Sequence, residues 1–98
     1  MVRHIVLWRL KDSANGCSKA ENAAAIKQRL ENLNGKIPGL LKLEVGYDFS
    51  RGSDSSDMVL YSEFENRAAL EIYQNHPLHE AVKPLVTAAR AERRVVDF

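Results

Sequence analysis

The stretch Tyr73-Gln74-Asn75-His76-Pro77-Leu78-His79 places one phenol and two imidazoles within seven residues. Histidine titrates near neutral pH, so it can take a proton from a substrate and return it. Tyrosine stays protonated there and can donate a hydrogen bond to a carbonyl oxygen that gains negative charge. Tyr73 and His79 converging in an apolar pocket would suit enolisation, or carbon–carbon ring closure, in a carbonyl compound. That chemistry requires no metal and no other cofactor.

Convergence needs a break in the chain. In one unbroken helix two residues six positions apart are rotated by about 600°, onto separate faces. Pro77 breaks the helix between them, because proline restricts the residue before it and donates nothing to the helix ladder. A bend there can fold His79 back over the end of the helix that carries Tyr73. His4, in an apolar N-terminal run, shares a strand face with Val6 and Trp8 and can point at the same layer. Asp97 alternates with Val96 and Phe98 and could orient an imidazole, as carboxylates do in other sites.

The same spacing serves a second reading. Histidines beside a helix break also satisfy free carbonyls at the helix C-terminus, which applies to both His76 and His79. His-x-x-His is a zinc-ligand spacing, but two local histidines fall short of the three or four protein ligands such sites use, so no metal site is expected. Trp8, Tyr47 and Phe64 read as core or interface residues. The charged run Arg90, Glu92, Arg93, Arg94 reads as a solvated edge.

The elements that must position these residues follow from the apolar pattern. VRHIVLWRL (2–10) predicts a strand with large apolar residues on both faces, which needs cover on both. KDSANGC reads as a loop. Ser18 and Glu21 fit a capping box. Ile26, Leu30, Leu33 and Ile37 then make one helical stripe, predicting a helix over 18–34. LLKLEVGYDF (40–49) alternates, with Leu41, Leu43, Val45 and Tyr47 on one face and Lys42 and Glu44 on the other. A polar loop, SRGSDSSD, leads to a strand over 58–64. Asn66 can cap a helix over RAALEIYQN with Ala69, Leu70 and Tyr73 as its stripe. Pro77 can start a short helix over LHEAVK, cut by Pro84. ERRVVDF reads as a closing strand.

The order β-α-β-β-α-β predicts a ferredoxin-like α+β fold, an antiparallel four-stranded sheet with two helices on one face. The other face then stays bare. In a chain with no further elements, a second copy is the simplest cover, so a homodimer is expected.

Composition narrows the function classes. The chain has 98 residues, which fits a single domain over 1–98. Net charge is +1, from 14 basic and 13 acidic residues, which argues against nucleic acid or an anionic membrane as partner. No apolar run is long enough to span a bilayer, and Arg3, His4 and Arg9 interrupt the N-terminal run that a signal peptide would need. The lone Cys17 makes no intrachain disulfide and fits a reducing, cytoplasmic setting.

Taken together in this order, RHIVLWRL, KIPGLLKLEVGYDFS, MVLYSEFENRAALEIYQNHPLHEAV and RVVDF resemble the stress-responsive dimeric α/β-barrel domain family, Dabb. The resemblance spans nearly the whole chain. Its most specific parts are Tyr-x-x-His-Pro-x-His and the terminal Val-Asp-Phe. It implies a subunit whose sheet packs on that of a second subunit to form a barrel, with a cavity between sheet and helices in each. Most members have no assigned reaction, and some plant members are stress-linked. One plant branch contains polyketide cyclases that close a linear polyketide by aldol condensation without a cofactor.

In that branch the tyrosine and histidine matching Tyr73 and His79 act, and His4 and Asp97 match a strand histidine and a terminal aspartate. Met58 stands where the cyclases carry a further pocket histidine. The resemblance thus makes Tyr73 and His79 catalytic candidates and His4, Val6, Trp8, Met58 and Asp97 pocket candidates for a small apolar or aromatic ligand. Two functions stay open: cofactor-free cyclase- or lyase-like chemistry, and a non-catalytic, stress-associated dimeric binding protein.

Overall fold

The computed structural model describes residues 1–98. β1 (Val2–Leu10) is followed by a small ribbon of β2 (Ser13–Ala14) and β3 (Cys17–Ser18). Then come α1 (Lys19–Glu31), β4 (Leu40–Tyr47), β5 (Met58–Phe64), α2 (Arg67–Asn75), α3 (Pro77–Glu80), α4 (Lys83–Ala89) and β6 (Arg90–Asp97). The four long strands form one antiparallel sheet in the order β4-β5-β1-β6, the ferredoxin-like arrangement. No helix is long and apolar enough to cross a membrane.

Three rungs across this sheet carry the core and the site. One runs Leu43–Ser62–His4–Asp97, the next Val45–Leu60–Val6–Val95, and the third Tyr47–Met58–Trp8–Arg93. Their inner members are buried under the helices. The opposite face presents Ile5, Leu7, Val59, Tyr61 and Val96, with Leu7 38% and Val96 60% exposed. The bare apolar face anticipated from the double-sided β1 pattern is therefore present.

Local signals set the helix starts. Ser18 Oγ accepts from Glu21 N at 3.2 Å while the Glu21 carboxylate accepts from Ser18 N at 2.9 Å, the reciprocal capping box. Asn66 Oδ1 accepts from Ala69 N at 2.8 Å at the start of α2. Gly39 has φ +82°, and a Cβ there would lie 2.5 Å from Ala69 Cβ, so its missing side chain lets α2 settle against the chain entering β4.

Four expectations need correction. α1 ends at Glu31, not 34, although Leu33 and Ile37 still complete the buried stripe from the turns beyond it. Asn34 instead serves the sheet. Its side-chain amide donates to Leu43 O at 2.8 Å and accepts from Leu43 N at 2.9 Å, covering the free edge of β4. Leu41 is 52% exposed because a register shift between Leu40 and Lys42 puts Leu40 in the core instead. Pro84 does not cut a helix; it sits in the first turn of α4, where its missing N–H has no partner to lose. The KDSANGC loop contains a hairpin, turned by Asn15 and Gly16, both at positive φ, as in a two-residue type I′ connection.

Candidate functional site

α2 ends at Asn75 because Pro77 follows, and the next two elements fold back over its end. His76 caps α3: its Nδ1 accepts from Leu78 N at 3.1 Å. That use of His76 is structural. His79, in α3, is thereby carried back onto α2. Its ring lies 4.2 Å from that of Tyr73, centroid to centroid, at 32°. Tyr73 in turn meets Phe64 at 5.0 Å and His4 at 6.4 Å. The residues expected to converge, Tyr73, His79 and His4, therefore do so.

Asp97 also joins the group, with a specific partner. Its carboxylate bonds His4 Nδ1 across the β1–β6 ladder, where the two residues stand in register. A carboxylate only accepts, so Nδ1 of His4 carries a proton and Nε2 is the free position. His79 Nδ1 lies 3.3 Å from Gln74 O, at the end of α2. A carbonyl also only accepts, so the same tautomer follows, with Nε2 left as a base. The helix-end bond and the poised base are thus two faces of one geometry. No three His, Cys, Asp or Glu side chains cluster as a metal site.

Burial shapes the proton affinities. Desolvation pushes the His79 pKa below its ordinary value of 6.5, opposed by the Gln74 carbonyl and assisted by nearby Lys83. His79 is therefore neutral at pH 7. Desolvation raises the Tyr73 phenol, which stays protonated. The Tyr73 hydroxyl is fully buried and has no hydrogen-bond partner. An unpaired buried donor costs about 1–3 kcal/mol, so native structures rarely keep one without a use.

Beside this group lies a cavity of about 420 Å³. His4, Val6, Trp8 and Leu60 of the sheet form its floor, and Leu30, Val82 and Val86 add apolar wall from the helices. Gln74, Asn75, His79, Lys83 and Thr87 line the helical side, and Arg90 and Arg93 close it from β6.

The expected lining is corrected in four places. Asp97 is outside the cavity wall and acts only on His4, which lines it. Met58 is buried in the core and is not in the cavity wall; it stands between Trp8 and Tyr47, on the β4 side of the rung. Tyr73 does not line the cavity directly but lies against His79, which does. Arg90 and Arg93 are not merely a solvated edge. Strand alternation puts Arg93 on the same face as Val95 and Asp97, a parity that could have marked it as inward-facing.

The model of the stress responsive A/B barrel domain matches residues 2–98. This chain belongs to the Dabb family. The Dabb chain also superposes on solved structures. One is a dimeric protein of unknown function and ferredoxin-like fold from Bacteroides fragilis, 33% identical, with TM-score 0.87, covering 99% of this chain and 93% of that one. A dimeric ferredoxin-like protein of unknown function from Thermobifida fusca is 25% identical, with TM-score 0.85 and coverage of 99% and 88%. An Arabidopsis thaliana protein at 22% identity shares the fold, with TM-score 0.83 and coverage of 100% and 93%. No curated protein matches the Dabb chain.

Proposed function

We propose that this Dabb domain is a cytoplasmic homodimer whose subunits each bind a small carbonyl compound and enolise it without a cofactor. The observation that carries the reading is the buried, unpaired hydroxyl of Tyr73, whose ring lies against His79 and near His4, both of which line a cavity. Neutral His79 takes a proton from the carbon next to the carbonyl through Nε2. The electron pair moves to the carbonyl oxygen, which accepts a hydrogen bond from the Tyr73 hydroxyl, a contact that requires the phenol to shift from behind His79 as the ligand binds. His4, held by Asp97, offers Nε2 to a ligand hydroxyl. The imidazolium of His79 then returns its proton to the carbon; or the enolate carbon attacks a second carbonyl in the same molecule, forming the ring bond of an aldol closure, and the imidazolium gives its proton to the new alkoxide.

Dimerisation accounts for the apolar outer face of the sheet, and the relatives described as dimeric support it. Light scattering should give about twice the 11.0 kDa chain mass.

The test of the chemistry is exchange of the methyl protons of acetophenone in deuterium oxide, followed by proton NMR. Wild type should accelerate exchange over buffer, and His79→Ala should return it to the buffer rate. No acceleration by wild type would favour the non-catalytic reading, in which the His79–Gln74 bond only braces the end of α2.

A further inference from the structure

We infer that the cavity selects an anionic ligand, its carboxylate held by Arg90 and Arg93 while its carbonyl reaches the histidines. This rests on the small-molecule reading above and adds the substrate class. The cavity wall contains Lys83, Arg90 and Arg93 and no aspartate or glutamate. Lys83 is engaged, by Glu80 at 2.7 Å and Gln74 O at 3.1 Å. On the outer face of β6, Arg94 pairs with Glu92 at 3.0 Å. Neither Arg90 nor Arg93 has an ion pair within 4.0 Å or a side-chain hydrogen bond. The two guanidinium groups on the cavity side are thus the ones left free.

A second unpaired donor points the same way. Trp8 lies in the cavity floor directly opposite Arg93, and its indole N–H is buried without an acceptor. Guanidinium groups match a carboxylate in a planar, two-bond fork, and the Trp8 indole N–H is one more unpaired donor at the Arg93 end of the floor. His4 and Trp8 are four residues apart on β1, about 13 Å at roughly 3.3 Å per residue. The anion end and the acid–base end are therefore one small-molecule length apart. An aryl oxo acid fits this layout: carboxylate at one end, ketone at the other, apolar body over Val6 and Leu60.

Trp8 is the only tryptophan in the chain, so its fluorescence reports on this floor. The experiment titrates wild type with 3-(4-acetylphenyl)propanoate, whose aryl body separates carboxylate from ketone, and with its neutral amide. The acid should bind roughly tenfold more tightly, with an affinity that weakens as salt is raised. In the Arg90→Met/Arg93→Met double variant, checked for an unchanged circular dichroism spectrum, the acid should lose that advantage. Equal binding of acid and amide by wild type would overturn the anion preference and leave the cavity reading standing. A preference that survives in the double variant would overturn the assignment to these arginines. Fluorescence unchanged by either compound would overturn the cavity reading and this inference with it. The salt series needs wild type alone: an acid affinity unchanged by salt would overturn the anion preference whether or not the double variant folds.

Discussion

The rings of Tyr73 and His79 lie 4.2 Å apart, although the phenol belongs to α2 and the imidazole to α3 beyond Pro77. The contact covers the phenol on one side, while its hydroxyl gains no partner. Tyr73→Phe keeps the ring and removes the unpaired donor. It should raise stability by about 1 kcal/mol, read by urea denaturation. It should also abolish any acceleration of ketone exchange. A variant that loses stability would mean that the hydroxyl is paired in solution.

His79→Ala should cost little stability, about 1 kcal/mol or less, although it removes the bond to Gln74 O. Lys83 Nζ also donates to that carbonyl, at 3.1 Å, so the acceptor is not left orphaned. A loss of several kcal/mol in chemical denaturation would show that this side chain serves mainly to brace α2.

The His79 pKa is lowered in the folded state, first by burial. Between that lowered value and the ordinary 6.5, the unfolded chain holds a proton that the folded chain does not. Stability therefore stands at its plateau above pH 6.5 and declines as pH falls below it. Lys83, Glu80 and His4 all face the imidazole, Lys83 and His4 disfavouring its charge and Glu80 favouring it. Comparing the pH dependence of melting in wild type and His79→Gln should show a shallower acid slope in the variant. Identical slopes would indicate that His79 titrates alike in both states.

Gly39→Ala should be among the most disruptive single-methyl changes in the chain. The added Cβ would stand 2.5 Å from Ala69 Cβ, and φ is +82°, which disfavours an L residue. The left-handed conformation alone costs roughly 1–2 kcal/mol, and displacement of α2 adds to it. Because α2 carries Tyr73, thermal melting and binding of 3-(4-acetylphenyl)propanoate should both suffer. An unchanged melting temperature would show that α2 moves aside freely.

Leu7→Glu combined with Val96→Lys places charges on the outer sheet face, opposite the cavity. Sedimentation velocity should show a monomer for this variant and a dimer for wild type, because charge buried in an apolar interface is not solvated. A dimeric variant would place the interface on another surface.

Much of this was legible in the chain because the causes are local. Ser18 with Glu21, Asn66, and Pro77 act on backbone groups within four residues, and β1 and β5 declare their faces by alternation. The convergence of Tyr73 with His79 followed from one proline. Other features depend on distant partners. Leu41 lost its place in the core to a bulge set by pairing with β5, and Asn34 found its use only where the edge of β4 runs past it. Pro84 is compatible with ending one helix or starting another, and packing chose the second. Asp97 could have oriented any imidazole; the β1–β6 register gave it His4. A residue's own chemistry and its near neighbours specify what it can do. Which groups meet across 93 residues is decided by strand register and helix packing, whose energies are spread over the whole core.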